Sequence, residues 1–226
     1  MNEIEIIKRN RSLAFLKTKQ FDAALSDTGF PDFGSNSTEK ALFRAAEALY
    51  FLGRFNECCE VLEILRTNFP NNKQALAVLD RARVRCSEQS TGNYNFKLLQ
   101  AEAKKLRPPQ LDHATYIGPV EIRKTEGKGR GLFVTKAVKA GDLLLCEKAF
   151  GHAYTAENDE GNSKVTLLIN PETSKGFMGG QADLIRIIVQ KLYHNPSIAP
   201  AFTTLHHGTY EAVSTPVVDG KPVVDT

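Results

Sequence analysis

The stretch EGKGRGLFVTKAVKAGDLLLCEKAF, residues 126–150, sets three glycines within five residues and then runs into two strand-like segments. Glycines this close either bring backbone against a ligand or free the chain to turn. The two phosphate-loop motifs, which need glycine or lysine at fixed offsets, do not fit. A dinucleotide fingerprint counted from Gly129 and Gly131 needs a small residue where Val134 stands, and no Lys-Ser/Thr pair follows four residues after a glycine. The flanks read as β structure. VEIR (120–123), GLFVT (131–135) and DLLLCE (142–147) have the pattern of three strands, with KAGD (139–142) as the turn between the last two.

Upstream the texture changes. In KKLRPPQLDHATYIGPV (104–120) two prolines stop a helix and short β-branched runs begin after Ile117, which puts a boundary near 108–116. Before that boundary the chain is helical and repetitive. A shift of 34 residues aligns LKTKQFDAAL (16–25) with YFLGRFNECC (50–59), placing Phe21 on Phe55, Phe15 on Leu49 and Ala24 on Cys58. That period accommodates two helices and two turns, with an aromatic at the start of the second helix wedged against the first. Gly53 is expected at the turn between helices, Pro70-Asn71-Asn72 as a stop and cap, and Asn36 with Glu39 as a capping box. A third copy supplies KQALAVLDRARVRCSEQ (73–89) and NFKLLQAEAKKL (95–106), with STGNY between them longer than the period allows. So short an array is expected to dock on the downstream half of the chain. Arg81, Arg83 and Arg85 read as a solvated face, the middle one pointing away from the other two.

Composition narrows the function classes. With 226 residues, 42% of them apolar, and 13 phenylalanines, the chain can build substantial cores. Net charge is +3, and neither residues 1–110, with 17 basic and 13 acidic side chains, nor residues 111–226, with 12 and 13, has the excess expected of a nucleic-acid binder. The local excess lies around the glycines, where Arg123, Lys124, Lys128, Arg130, Lys136 and Lys139 face only Glu126 and Asp142. No apolar run suggests a signal peptide or a membrane span, so an intracellular protein of cytoplasm or nucleus is expected, with no membrane partner. Its four cysteines lack C-x-x-C spacing and read as reduced thiols.

Downstream of the strands, QADLIRIIVQKLYHN (181–195) sets Leu184, Ile185, Ile188 and Leu192 on one helical face before Pro196 ends it. His206-His207 does not make a metal site, since neighbours in an extended segment point apart and no carboxylate or cysteine has ligand spacing. PVVDGKPVVDT reads as a strand pair around Asp219-Gly220, kept to an edge by its prolines.

These residues carry two resemblances. The first half resembles a tetratricopeptide repeat, with a good copy at about 39–72, a weaker one at about 5–38 and a partial third from Lys73. GPVEIRKTEGKGRGLFVTKAVKAGDLLLCEKAF resembles the opening of a SET domain, the S-adenosylmethionine-dependent protein-lysine methyltransferase fold, and a helical repeat ahead of it is similar to the SET-and-MYND group and related fungal and plant proteins. Together they imply an α+β chain: a helical repeat over 1–110, a linker at 111–116, and an incomplete, mainly-β SET domain over 117–226 with strands in 120–150 and a helical insert at about 181–195. The resemblance implies that Lys128, Gly129, Arg130 and Gly131 line the S-adenosylmethionine pocket, with Lys128 or Arg130 near the cofactor carboxylate. The Asn-His motif and late tyrosine of the family do not occur here, so no catalytic residue is assigned and the chain is expected to be cut within the domain and inactive alone. Its substrate in a full-length form would be a protein lysine. A non-catalytic module that binds a protein or peptide partner through the helical repeat is the other reading, and a truncated product without a settled role is a third.

Overall fold

The computed structural model describes residues 3–33, 37–154, 165–171, 174–205 and 208, and the backbone of 217–218 and 221–222. Helix and sheet are segregated along it, as expected for an α+β chain. Six helices come first: α1 (Glu3–Lys17), α2 (Phe21–Ser26), α3 (Glu39–Phe51), α4 (Phe55–Asn68), α5 (Lys73–Thr91) and α6 (Phe96–Lys105). Short strands then alternate with helix: β1 (Tyr116–Ile117), β2 (Val120–Thr125), β3 (Gly129–Val134), β4 (Leu145–Cys146), β5 (Leu167–Asn170), β6 (Lys175–Met178), α7 (Gly180–His194), a 3-10 turn (Pro196–Ile198), α8 (Ala199–Thr203), β7 (Val217–Val218) and β8 (Lys221–Pro222).

The 34-residue shift reappears as geometry. Phe21 and Phe55 each open the second helix of a pair. Ahead of them Lys19 (φ 60°) and Gly53 (φ 77°) take the same left-handed conformation, which costs least where Cβ is absent. The turns close with matching bonds, Gln20 N–H to Phe15 carbonyl (2.8 Å) and Arg54 N–H to Leu49 carbonyl (2.9 Å). Leu42, Leu49, Leu62 and Leu65 are fully buried at the centre of the resulting core, and Phe55 is 7% exposed. Asn72 caps α5 by accepting from the Ala75 N–H (2.8 Å). The cap of α3 differs from expectation. Asn36 lies outside the described residues; Thr38 accepts from Ala41 N–H (3.3 Å), while Glu39 instead accepts from the Asn72 side chain (2.8 Å). Gly92 ends α5 in the left-handed conformation, and α6 contributes no fully buried residue, so the period fades at the third pair.

The arginine face is corrected at Arg85 alone. Arg81 and Arg83 are surface residues, Arg83 turned to Glu63 and Arg81 to the other side. The Arg85 side chain is 11% exposed, and Arg81 lies 4.4 Å from the centroid of the Tyr50 ring. The segment after α6 explains the difference, because it folds back onto this face. Arg85 donates to the Asp112 carbonyl, Glu88 accepts from the Ala114 N–H (2.9 Å), the Tyr94 hydroxyl donates to the Ala114 carbonyl (2.9 Å), and the Tyr50 hydroxyl donates to the Asp112 carboxylate (2.7 Å). Burial, followed by this bond to Asp112, pushes the Tyr50 hydroxyl above the usual tyrosine range, so it remains a donor.

A second contact ties the two ends of the chain together. Asn195, 3% exposed, accepts through Oδ1 from the Phe21 N–H (2.6 Å) at the start of α2 and donates to the Lys19 carbonyl (3.0 Å). In return Asp22 accepts from the N–H (2.8 Å) and hydroxyl (2.7 Å) of Ser197 in the 3-10 turn. Each element caps the other. The array meets the downstream half here and where α5 packs against β1. Asn195→Ala orphans the Phe21 amide and is expected to lower stability by about 1–3 kcal/mol, the sum of a lost cap and an unsatisfied donor, read from urea denaturation. An unchanged midpoint would remove the clasp from the account.

Candidate functional site

β2 and β3 pair antiparallel from Val120↔Val134 to Thr125↔Gly129. The turn spans Glu126–Lys128, with Gly127 (φ 69°) and Gly129 (φ 78°) left-handed, so two of the three glycines turn the chain. Gly131 is different: its φ is not left-handed, and a Cβ there would stand 3.0 Å from the Phe133 ring. Its missing side chain makes room for an aromatic two residues on.

Strand alternation sorts the four expected pocket residues. Gly129 and Gly131 share a face with Thr125, Arg123 and Phe133, while Arg130 falls on the other with Lys124, Ile122 and Leu132. Lys128 stands at the turn, exposed. The Arg130 guanidinium donates to the Thr204 carbonyl (3.0 Å), just past α8. From α8, Phe202 packs on Phe150, with ring centroids 5.2 Å apart. The Phe150 carbonyl accepts from the Lys191 ammonium of α7 (2.7 Å), which also lies 4.3 Å from the Phe150 ring centroid. Burial, reinforced by the nearby Lys148 charge, pulls the Lys191 ammonium below the usual lysine range. The glycine tip is thus linked through α8 and Phe150 to the α7 helix.

The helix over 181–195 forms as α7, with Leu192 buried. KAGD also turns as expected, Asp142 accepting from the Lys139 N–H (2.7 Å), but the strand after it does not continue the hairpin. β4 pairs with β1, Tyr116↔Cys146 and Ile117↔Leu145. The chain between Val134 and Leu145 swings away from β3, so β4 meets the segment just before β2. Val217↔Pro222 and Val218↔Lys221 form the anticipated strand pair around 219–220. His206 and His207 lie outside the described residues.

Two features carried no sequence signal. His152 follows Gly151, whose backbone lies against Leu184 and Ile188 of α7, and among the described residues its buried Nε2 has no hydrogen-bond partner. The other is a groove of about 330 Å³ lined by Leu13 of α1, Phe43, Arg44 and Glu47 of α3, and Asn72 and Gln74 at the start of α5. Helical spacing places Phe43, Glu47 and Tyr50 on one face of α3, and Gln74, Arg81 and Arg85 on one face of α5. The groove and the seat of residues 112–114 are therefore two halves of one surface, one open and one filled. Burial pushes the Glu47 carboxyl upward against the pull of Lys17, Arg44 and Arg81. No described helix is long and apolar enough to cross a membrane.

No family model and no solved structure matches the chain. Two curated proteins do. The chain is 41% identical over all 226 residues to a Gibberella zeae protein named "Methyltransferase", of which it covers 31%. Over 167 residues, 66% of the chain, it is 26% identical to the human "Protein-lysine N-methyltransferase SMYD4", covering 20% of that protein. The chain spans about a third or less of either relative.

Proposed function

We propose that the chain is a segment of an S-adenosylmethionine-dependent protein-lysine methyltransferase in which a tetratricopeptide array, residues 1–110, leads through 111–116 into the first part of a SET domain, residues 117–226. The observation that carries this reading is the 41% identity across the whole chain, which includes the helical half and the glycine hairpin alike. In this reading the glycine hairpin would form one wall of a cofactor site. Gly129, with open space where a Cβ would stand, would give a ligand access to the start of β3, and the exposed Lys128 beside it would supply charge for a carboxylate. Arg130, on the opposite face, positions α8 through Thr204. S-adenosylmethionine, when bound, would supply the methyl group, and the groups that close its site and orient a lysine amine are expected elsewhere in a longer chain. The 226 residues alone are expected to transfer no methyl group, because positioning is most of the chemistry in such a transfer.

Calorimetry on the full-length protein tests the wall. Lys128→Ala is expected to weaken S-adenosylmethionine binding about fivefold at low salt and less at high salt, as an exposed, screened charge should, with Arg130→Ala having a smaller effect. Gly131→Val is expected to abolish detectable binding, but its Cβ meets Phe133, so thermal melting must accompany it. Full-length protein that binds the cofactor with unchanged affinity in all three variants would reduce the glycines to turn residues.

A second reading rests on the open half of the helical groove. Residues 112–114 show how that surface holds extended chain, by backbone bonds to Glu88 and Tyr94 and a carboxylate on Tyr50. A partner peptide laid along Phe43, Glu47 and Gln74 would extend the same arrangement, giving a binding module that needs no catalysis.

A further inference from the structure

We propose that Cys59 and Cys86 are a redox-sensitive pair, which a hydroperoxide oxidises to a disulfide that staples α4 to α5. The two sulfurs lie 3.7 Å apart across the seam between the helices. One turn along the same seam Glu63 of α4 meets Arg83 of α5 at 2.5 Å, so four residues forward on one helix match three backward on the other and the antiparallel register is already fixed. Bonding distance is about 2.05 Å, so the sulfurs have less than about 2 Å to close. Both thiols are partly exposed, so a small oxidant can reach them. Their neighbour Cys58 is fully buried and donates its thiol hydrogen to the Ala46 carbonyl (3.2 Å), which turns it away from the seam and leaves Cys59 as the partner.

The chemistry balances with one equivalent of hydrogen peroxide. One thiolate attacks a peroxide oxygen, the O–O bond breaks, and a sulfenic acid and hydroxide result; the second thiol displaces water from the sulfenic sulfur as the S–S bond forms. In sum, two thiols and one peroxide give one disulfide and two waters, both sulfurs being oxidised and both peroxide oxygens reduced. Burial and the adjacent Cys86 sulfur push the Cys59 thiol up to about 12, so the bridge is expected to form slowly at neutral pH and faster as pH rises. Once formed it constrains the unfolded chain between the second and third helix pairs, and the seat of residues 112–114 on α5 is locked to α4.

Peptide mapping of the whole chain under non-reducing conditions tests this without a variant. After hydrogen peroxide, a cross-linked peptide pair joining Cys59 to Cys86 is expected, lighter by two hydrogens and reverting with dithiothreitol, with a rise in melting temperature of about 5–10 °C. Cys86→Ser is expected to lose both the cross-link and the rise, while Cys146→Ser keeps them. Recovery of Cys59 and Cys86 as separately alkylated peptides after a peroxide treatment that oxidises Cys146 would overturn the proposal, as would a bridge from Cys58 in place of Cys59.

Discussion

Phe55→Ala is expected to lower the unfolding free energy by about 3–5 kcal/mol, the range for truncating a buried phenylalanine and leaving its cavity. The ring is 7% exposed and sits at the first position of α4, edge-on to Tyr50 with centroids 5.2 Å apart. It therefore holds the second helix of the pair against the first, and it shares one continuous core with Leu49, Leu62 and Leu65. The equivalent Phe21 of the first pair gives an internal control. That ring is only half-buried and stacks at 5.0 Å on Phe51, itself 60% exposed, so Phe21→Ala leaves a site that water can fill and should cost clearly less. Urea denaturation followed by helical circular dichroism measures both. Equal losses, or none at Phe55, would mean that the aromatic period is not what wedges the helices.

The contrast between those two phenylalanines shows where sequence reading is strong. The 34-residue period is written in local chemistry: an aromatic, a residue able to take positive φ two places before it, and a cap such as Asn72. Each acts within a turn of its own position, so pattern and structure agree. KAGD is legible for the same reason, since Asp142 and Lys139 close the turn between themselves. What failed was long-range. That Arg85 is largely covered depends on a segment 27 residues later folding back over it, and nothing in the spacing of Arg81, Arg83 and Arg85 encodes that return. That Asn195 caps a helix 174 residues earlier is invisible for the same reason. The pairing of β4 with β1 in place of β3 is again a choice between distant partners, which strand propensity does not make. At the glycine hairpin the sequence placed the turn. It did not show that Arg130 and Gly131 would lie on opposite faces, although period-two alternation, once the strand begins at Gly129, requires it.

A loss of the same size should come from the return segment. Glu88 is 5% exposed and does two jobs, accepting from the Ala114 N–H (2.9 Å) and from the Arg85 guanidinium (2.7 Å). Arg85 is itself 11% exposed, and among the described residues its Nε has no acceptor. Glu88→Ala leaves a nearly buried guanidinium without its closest carboxylate and a buried amide without its acceptor, which should cost about 3–5 kcal/mol, as for one partner removed from a buried ion pair. Glu88→Gln keeps an acceptor for Ala114 and should lose less. The double change Arg85→Met with Glu88→Leu should recover part of the loss, because both charges are removed together and what remains is the Ala114 amide and the Asp112 carbonyl without these partners. Hydrogen exchange locates the effect: the Ala114 amide should lose protection in Glu88→Ala and keep it in Glu88→Gln, while amides at the centre of α3 change only with global stability. If Glu88→Ala melts like the parent chain and the Ala114 amide stays protected, then residues 112–114 are not held by this carboxylate, and the bonds from Tyr50, Tyr94 and Arg85 carry the segment instead.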